Sequence, residues 1–264
     1  MNPMVRKELN LRMRERRGWV LPSLYLVVLG AAVTLAYYFS AFEGRQVQGA
    51  NVGIAMFLTA AYTQMGVLLL LAPIFSAASL TIEKEQRTLA GLLTSLLTPF
   101  QVWWGKFVAS LLFVLLLIIT GLPILSVSFA FGGIGPWEVF MATATTIIAL
   151  GTFSAIGLYW SSVFRRSVHA TAVTYACIIV LTVVTFIIFL IAMAFRSDAH
   201  GWEDIPWFTK APLYLNPIFF LTMGFAPARQ LFPEWGYCAG VFLSLGIVGS
   251  VMAMWNLRCG GESV

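Results

Sequence analysis

Residues 107–131 read FVASLLFVLLLIITGLPILSVSFAF, twenty-five positions without one charged side chain. A helix rises 1.5 Å per residue, so about 20 apolar residues cross a hydrocarbon core of about 30 Å. This stretch is long enough to cross and too apolar to remain in water. Five others like it occur at 19–39, 54–80, 139–164, 170–195 and 237–255. Trp19, Trp103, Trp104, Trp137, Trp160, Trp235 and Trp255 mark their ends, as the lipid–water interface favours. The expected fold class is an all-α membrane protein with six transmembrane helices, forming one domain over residues 1–264.

Composition agrees. Charged residues are 10% of the 264 and apolar residues 59%, where soluble domains carry about 25% charged residues; mean hydropathy is +0.87. The net charge of +5 does not point to nucleic acid, because the basic residues gather at the ends of the apolar runs and not on an aromatic-interleaved surface. Cys177, Cys238 and Cys259 lack the paired spacing of a disulfide or zinc framework and read as free thiols.

Orientation follows from counting Lys and Arg on alternate sides. Twelve fall on one side, including Arg6, Lys7, Arg12, Arg14, Lys84, Arg87, Lys106, Arg165, Arg166 and Arg258; Arg45, Arg196, Lys210 and Arg229 fall on the other. The positive-inside rule then puts both termini in the cytoplasm.

Three segments outside the spans carry patterns of their own. At 1–17, Val5, Leu9 and Met13 fall at i, i+4 and i+8, with Arg6, Lys7, Arg12 and Arg14 at other positions. That pattern predicts an amphipathic helix lying in the inner interface, or a plain topogenic tail. At 81–101, Glu83, Lys84, Glu85 and Arg87 precede leucines at helical spacing. This predicts a short helix presenting a charged edge to a cytosolic partner, or a solvated charge run. At 196–235, proline and tryptophan punctuate a segment too apolar for a free loop. A short hairpin dipping into the outer leaflet is expected there, since a seventh span would reverse the charge bias of the last loop.

The spans themselves lack Asp, Glu, Lys, Arg and His away from their ends. Proton relays and ion sites in membranes are made from such groups, so a gradient-driven carrier is disfavoured. There is no His-Glu-x-x-His, Gly-x-Ser-x-Gly or phosphate-cradling Gly-Lys-Ser/Thr motif; the chain reads as neither an enzyme nor a nucleotide binder, without a metal or cofactor of its own. Polar residues within the second span, Tyr62, Thr63 and Gln64, line a candidate cargo path, or serve as hydrogen-bonding contacts between helices. Pro73 and Pro123 are expected to kink the second and third spans.

Glu83-Lys84-Glu85-Gln86-Arg87-Thr88-Leu89, then Leu92-Leu93-Thr94-Ser95 and Gly105-Lys106, resemble the signature of the type-2 ABC transporter permeases. That family commonly reads Glu-x-Glu-x-Gly-Thr-Leu, a leucine pair, a Thr-x-Pro turn and Gly-Lys. Arg87 stands where Gly is frequent, and Leu96 where Pro is. The six spans, the basic N-terminal helix, the outer hairpin and Leu215-Asn216-Pro217 are also similar to this family.

The resemblance implies two permeases, identical or related, paired with two cytosolic ABC ATPase subunits that hold the ATP and Mg. The helix after the second span would be the coupling helix docking in the ATPase. Glu83 and Glu85 would be its acidic contacts and Thr88 and Leu89 would shape it; Lys84 and Arg87 join them on charge alone. The expected function is the transmembrane permease subunit of an ATP-driven exporter in a bacterial plasma membrane, moving a lipid-like, peptide or drug-like cargo outward. Two rival readings are an ABC assembly transmitting force to a periplasmic or surface partner, and a non-transporting scaffold.

Overall fold

The computed structural model describes residues 17–42, 49–86, 99–194, 207–225 and 232–260, and every regular element among them is helical. In chain order these are α1 (Arg17–Phe42), α2 (Gly49–Ala77), α3 (Thr81–Glu85), α4 (Pro99–Val127), α5 (Pro136–Val163), α6 (Ser167–Ile179), α7 (Thr185–Ala194), α8 (Trp207–Lys210), α9 (Pro217–Phe225) and α10 (Phe232–Gly260). A π-helical turn, Val180–Val184, joins α6 to α7, and 3-10 turns cover Ser128–Phe131 and Ala211–Leu215. Six helical stretches are long and apolar enough to cross a membrane: Val20–Ser40, Val52–Glu85, Phe100–Phe131, Pro136–Val163, Ser167–Ile191 and Pro233–Arg258. The chain is a multi-pass, six-span membrane protein.

The third span starts earlier than hydropathy places it. Pro99 opens α4, where its fixed φ suits a first helical turn. Phe100, Trp103, Trp104 and Phe107 then form a ladder of neighbouring rings along the first turns. Lys106, expected before the helix, therefore lies inside it. Helices α2 and α4 run on through Pro73 and Pro123. At the start of α5, Gly132 and Gly133 take φ of 80° and 83°, left-handed values that glycine tolerates without strain. Pro136 follows as the first helical residue, and the Glu138 carboxylate accepts the Gly135 N–H at 2.9 Å, one half of a capping box.

The central helix is α5, which touches α2, α4, α6, α9 and α10. In lipid the helices gain little from hiding apolar surface, so close packing and interhelical hydrogen bonds hold them together. Gly246 and Gly249 of α10 lie against Thr152 and Ala155 of α5, and the Thr152 hydroxyl donates to the Phe242 carbonyl at 2.8 Å. One large core gathers Tyr25, Phe57, Met65, Phe113, Phe153, Phe220 and Phe242. A smaller one at the α3 end joins Leu80, Val102, Trp103, Leu158, Ala253 and Leu257.

Opposite the α3 end, the described part of 196–235 is α8, a 3-10 turn, α9 and the first turn of α10. At nine residues, α9 is far short of a span, and the described residues hold six spans. Asn216 fixes it in place. Its Oδ1 accepts the Ile218 and Phe219 N–H groups at 2.9 and 3.2 Å, the geometry of an N-cap before proline. Its Nδ2 donates to the Thr182 carbonyl at 2.8 Å and Thr185 Oγ1 at 3.1 Å, at the π-helical turn. A π turn changes the local carbonyl pattern of a helix, and a neighbouring amide satisfies part of it here.

Candidate functional site

After Ala77 the chain turns through Ala78–Leu80 and resumes as α3, Thr-Ile-Glu-Lys-Glu. The Ile82 and Lys84 N–H groups bond back to the Ala78 and Leu80 carbonyls. Two amides, Leu80 and Thr81, bond outward instead, both to Ser161 Oγ of α5, at 3.0 and 3.1 Å. Gly157, one turn earlier in α5, allows this approach: a Cβ there would sit 2.2 Å from Ser76 Oγ.

Each charge of α3 is engaged within the chain. Glu83 Oε1 pairs with Lys106 Nζ at 2.9 Å, and the same ammonium donates to the Ser79 carbonyl at 2.7 Å. Lys106 is 1% exposed. An ammonium that deep is tolerated only where a counter-charge and acceptors surround it. Lys84 Nζ donates to the carbonyls of Ser161 and Phe164 at 3.0 Å, and to that of Ser162. These lie at the carboxyl end of α5, where carbonyls lack intrahelical partners and the helix dipole is negative. Glu85 Oε1 accepts the Ser167 N–H at 2.6 Å and its hydroxyl at 2.9 Å, at the amino end of α6 where the dipole is positive. The alternation Glu-Lys-Glu thus matches α4, the end of α5 and the start of α6 in turn.

The expected residues Glu83, Lys84 and Glu85 are brought together here. Arg87, Thr88 and Leu89 lie outside the described residues, as do Arg6, Lys7, Arg12 and Arg14. Sequence reading missed Lys106, Ser161 and Ser167 as parts of the site. The Ser-Ser-Val-Phe-Arg-Arg-Ser corner at 161–167 carried a signal, since hydroxyls and cations at helix ends serve as caps.

Tyr62, Thr63 and Gln64 do not share one surface. Residues two apart on a helix point to nearly opposite sides. The Tyr62 hydroxyl meets Thr222 Oγ1 of α9 at 2.9 Å, and its ring packs edge-on against Phe225. Gln64 is 2% exposed and faces Tyr25 and Gly121; Thr63 is half-buried. At this opposite end the Trp235 indole donates to Thr145 Oγ1 at 2.8 Å, the Tyr214 hydroxyl bonds Glu234, and Lys210 approaches Glu234 at 3.8 Å.

Among the described residues no group of three or more His, Cys, Asp or Glu could hold a metal ion. The five-residue helix is bonded to the ends of three spans, α4, α5 and α6.

A family model described as ABC-2 family transporter protein matches residues 3–234. A comparison with curated proteins returns no match. The match covers most of the chain and accords with the six spans; the chain belongs to the ABC-2 transporter family, as a membrane permease.

Proposed function

We propose that this permease is the transmembrane subunit of an ATP-driven exporter, working with a second permease copy and with cytosolic ATPase subunits that bind ATP and Mg. Membership in the family implies an ATPase partner. In this reading the α3 end faces the cytoplasm of a bacterial cell and the α9 segment lies in the outer leaflet. Segment 1–17, most of it outside the described residues, belongs to the inner interface by its sequence pattern. The cargo is lipid-like, peptide or drug-like, and the whole chain acts as one domain.

The observation that supports coupling is the wiring of Glu83, Lys84 and Glu85 to α4, α5 and α6. A lever must be stiff where it meets what it moves, and charge-assisted hydrogen bonds supply stiffness. These three charges form the fulcrum of the coupling segment. The stretch beginning at Arg87, Thr88 and Leu89 forms the part that touches the ATPase.

The test is the double variant Glu83→Ala/Glu85→Ala, purified with its ATPase and reconstituted in vesicles. The expected result is ATP hydrolysis that persists with transport lost, or a complex that no longer copurifies. Transport and stimulated hydrolysis at the level of the unmodified chain would overturn the proposal.

A further inference from the structure

A groove of about 430 Å³ runs along the surface between α2 and α6 at the α3 end, lined by Ile74, Ala78, Ser167, Val168, Thr171, Ala172 and Tyr175. Its hydroxyls are already in use. Tyr175 donates to the Leu70 carbonyl, and Thr171 donates to the Ser167 carbonyl at 2.8 Å. What the groove presents is hydrocarbon, with Ala78 and Ala172 leaving the space between larger neighbours. Ile74 and Val168 are exposed, on a face that in a bilayer meets acyl chains.

Charge gathers in the corner where the chain enters the groove at Ser167. Arg165 and Arg166 occupy the corner immediately before Ser167, and both are exposed, as is His169 in the first turn of α6. Trp160 and Phe164 stack at the same corner, and aromatic side chains mark headgroup depth. The other charges here are engaged: Lys84 by the carbonyls of α5 and Glu85 by Ser167. Arg166 lies within the field of Glu85, but the carboxylate oxygen itself is held by Ser167. Among the described residues no carboxylate forms a salt bridge with either guanidinium. Two exposed arginines in the corner that leads into the groove at Ser167 and Val168 suit a phosphate carried on a hydrocarbon chain. A zwitterionic headgroup would bring its own cation against the two arginines, so the charge favours an anionic lipid.

We propose that this groove seats one acyl chain of an anionic phospholipid whose headgroup phosphate is held by Arg165 and Arg166. The lipid would fill the gap between α2 and α6 beside α3, and so set the spacing of the two helices that the coupling segment joins. The site requires only that the chain be embedded in a bilayer.

The experiment uses the full chain in nanodiscs of phosphatidylcholine with phosphatidylglycerol titrated in, followed by mild delipidation and native mass spectrometry. The unmodified chain is expected to retain one phosphatidylglycerol. Arg165→Gln/Arg166→Gln should lower apparent affinity roughly 30-fold, from about 1 kcal/mol per surface cation converted to a ratio. Ala172→Phe fills the slot and should abolish retention with both arginines present. Arg258→Gln, removing a cation from the end of α10, should change neither. An apparent affinity in the arginine double variant equal to that of the unmodified chain, or retention by a folded Ala172→Phe chain, overturns the proposal. So does an equal loss in Arg258→Gln, which would mark a response to bulk surface charge.

Discussion

Glu83 and Lys106 form an ion pair at 2.9 Å in which the lysine is 1% exposed and also bonds the Ser79 carbonyl. The pair joins a helix of five residues to the third span. Removing one member of a buried pair leaves the other charge uncompensated, which costs about 3–5 kcal/mol, whereas replacing both by apolar groups is nearly neutral. Glu83→Ala should therefore lower the unfolding temperature more than the double change Glu83→Ala/Lys106→Met. Thermal unfolding of both variants in nanodiscs checks the order; a double variant at least as unstable as the single one would refute it.

Lys84 and Glu85 should act on different helices. Lys84→Met leaves three carbonyls at the end of α5 without their cation, and should speed amide exchange in the last turn of α5, where Phe164 N–H bonds the Trp160 carbonyl. A cation in this position contributes about 1 kcal/mol. Glu85→Ala should deprotect Ser167 at the head of α6 and leave the end of α5 unchanged. Exchange followed by mass spectrometry reads both, and identical patterns from the two variants would contradict the assignment.

Gly157 sets how closely α5 approaches the end of α2. A methyl group there would lie 2.2 Å from Ser76 Oγ and 3.1 Å from its Cβ. Gly157→Ala should destabilise by about 1–3 kcal/mol, the usual cost of overpacking. Adding Ser76→Ala removes the nearer atom and should restore part of the loss. Unfolding temperatures of the single and double variants give the answer; no recovery in the double would show that the contact is governed elsewhere.

Asn216 does two jobs that one substitution can separate. Asn216→Asp keeps an acceptor for the Ile218 and Phe219 amides but removes the donor to Thr182 and Thr185. Exchange protection at the head of α9 should survive in Asn216→Asp and fall in Asn216→Ala, while the π-helical turn at 180–184 loosens in both. Equal protection of that turn in all three chains would show that the amide does not hold it.

Much of the membrane body was legible. The uncharged run at 107–131 identifies a span because no folded soluble alternative hides so much hydrocarbon in one helix, and six helical spans stand close to where hydropathy puts them. Boundaries set by packing were not legible. Lys106 reads as the end of a loop, because a hydropathy pattern takes a charge for an edge; a buried counter-charge draws it inside α4. Leu215-Asn216-Pro217 stands out in the sequence only as a family resemblance; that Asn216 caps α9 and reaches a π-helical turn is shown by the structure, and no local pattern announces that turn.

The candidate site divides in the same way. Glu83, Lys84 and Glu85 stand out in the sequence as a charge cluster at a helix start, and periodicity and charge suffice for that. Their assignment to Lys106, to the carbonyls at 161–164 and to Ser167 depends on which helix ends meet in space, across 23 to 82 positions of chain. Hydrophobicity alone commits this chain to the bilayer and to six helices, since transfer free energy is a property of each segment. Which charge answers which helix end is a property of the assembled bundle, because an ion pair or a cap exists only where packing has brought its two partners within hydrogen-bond reach.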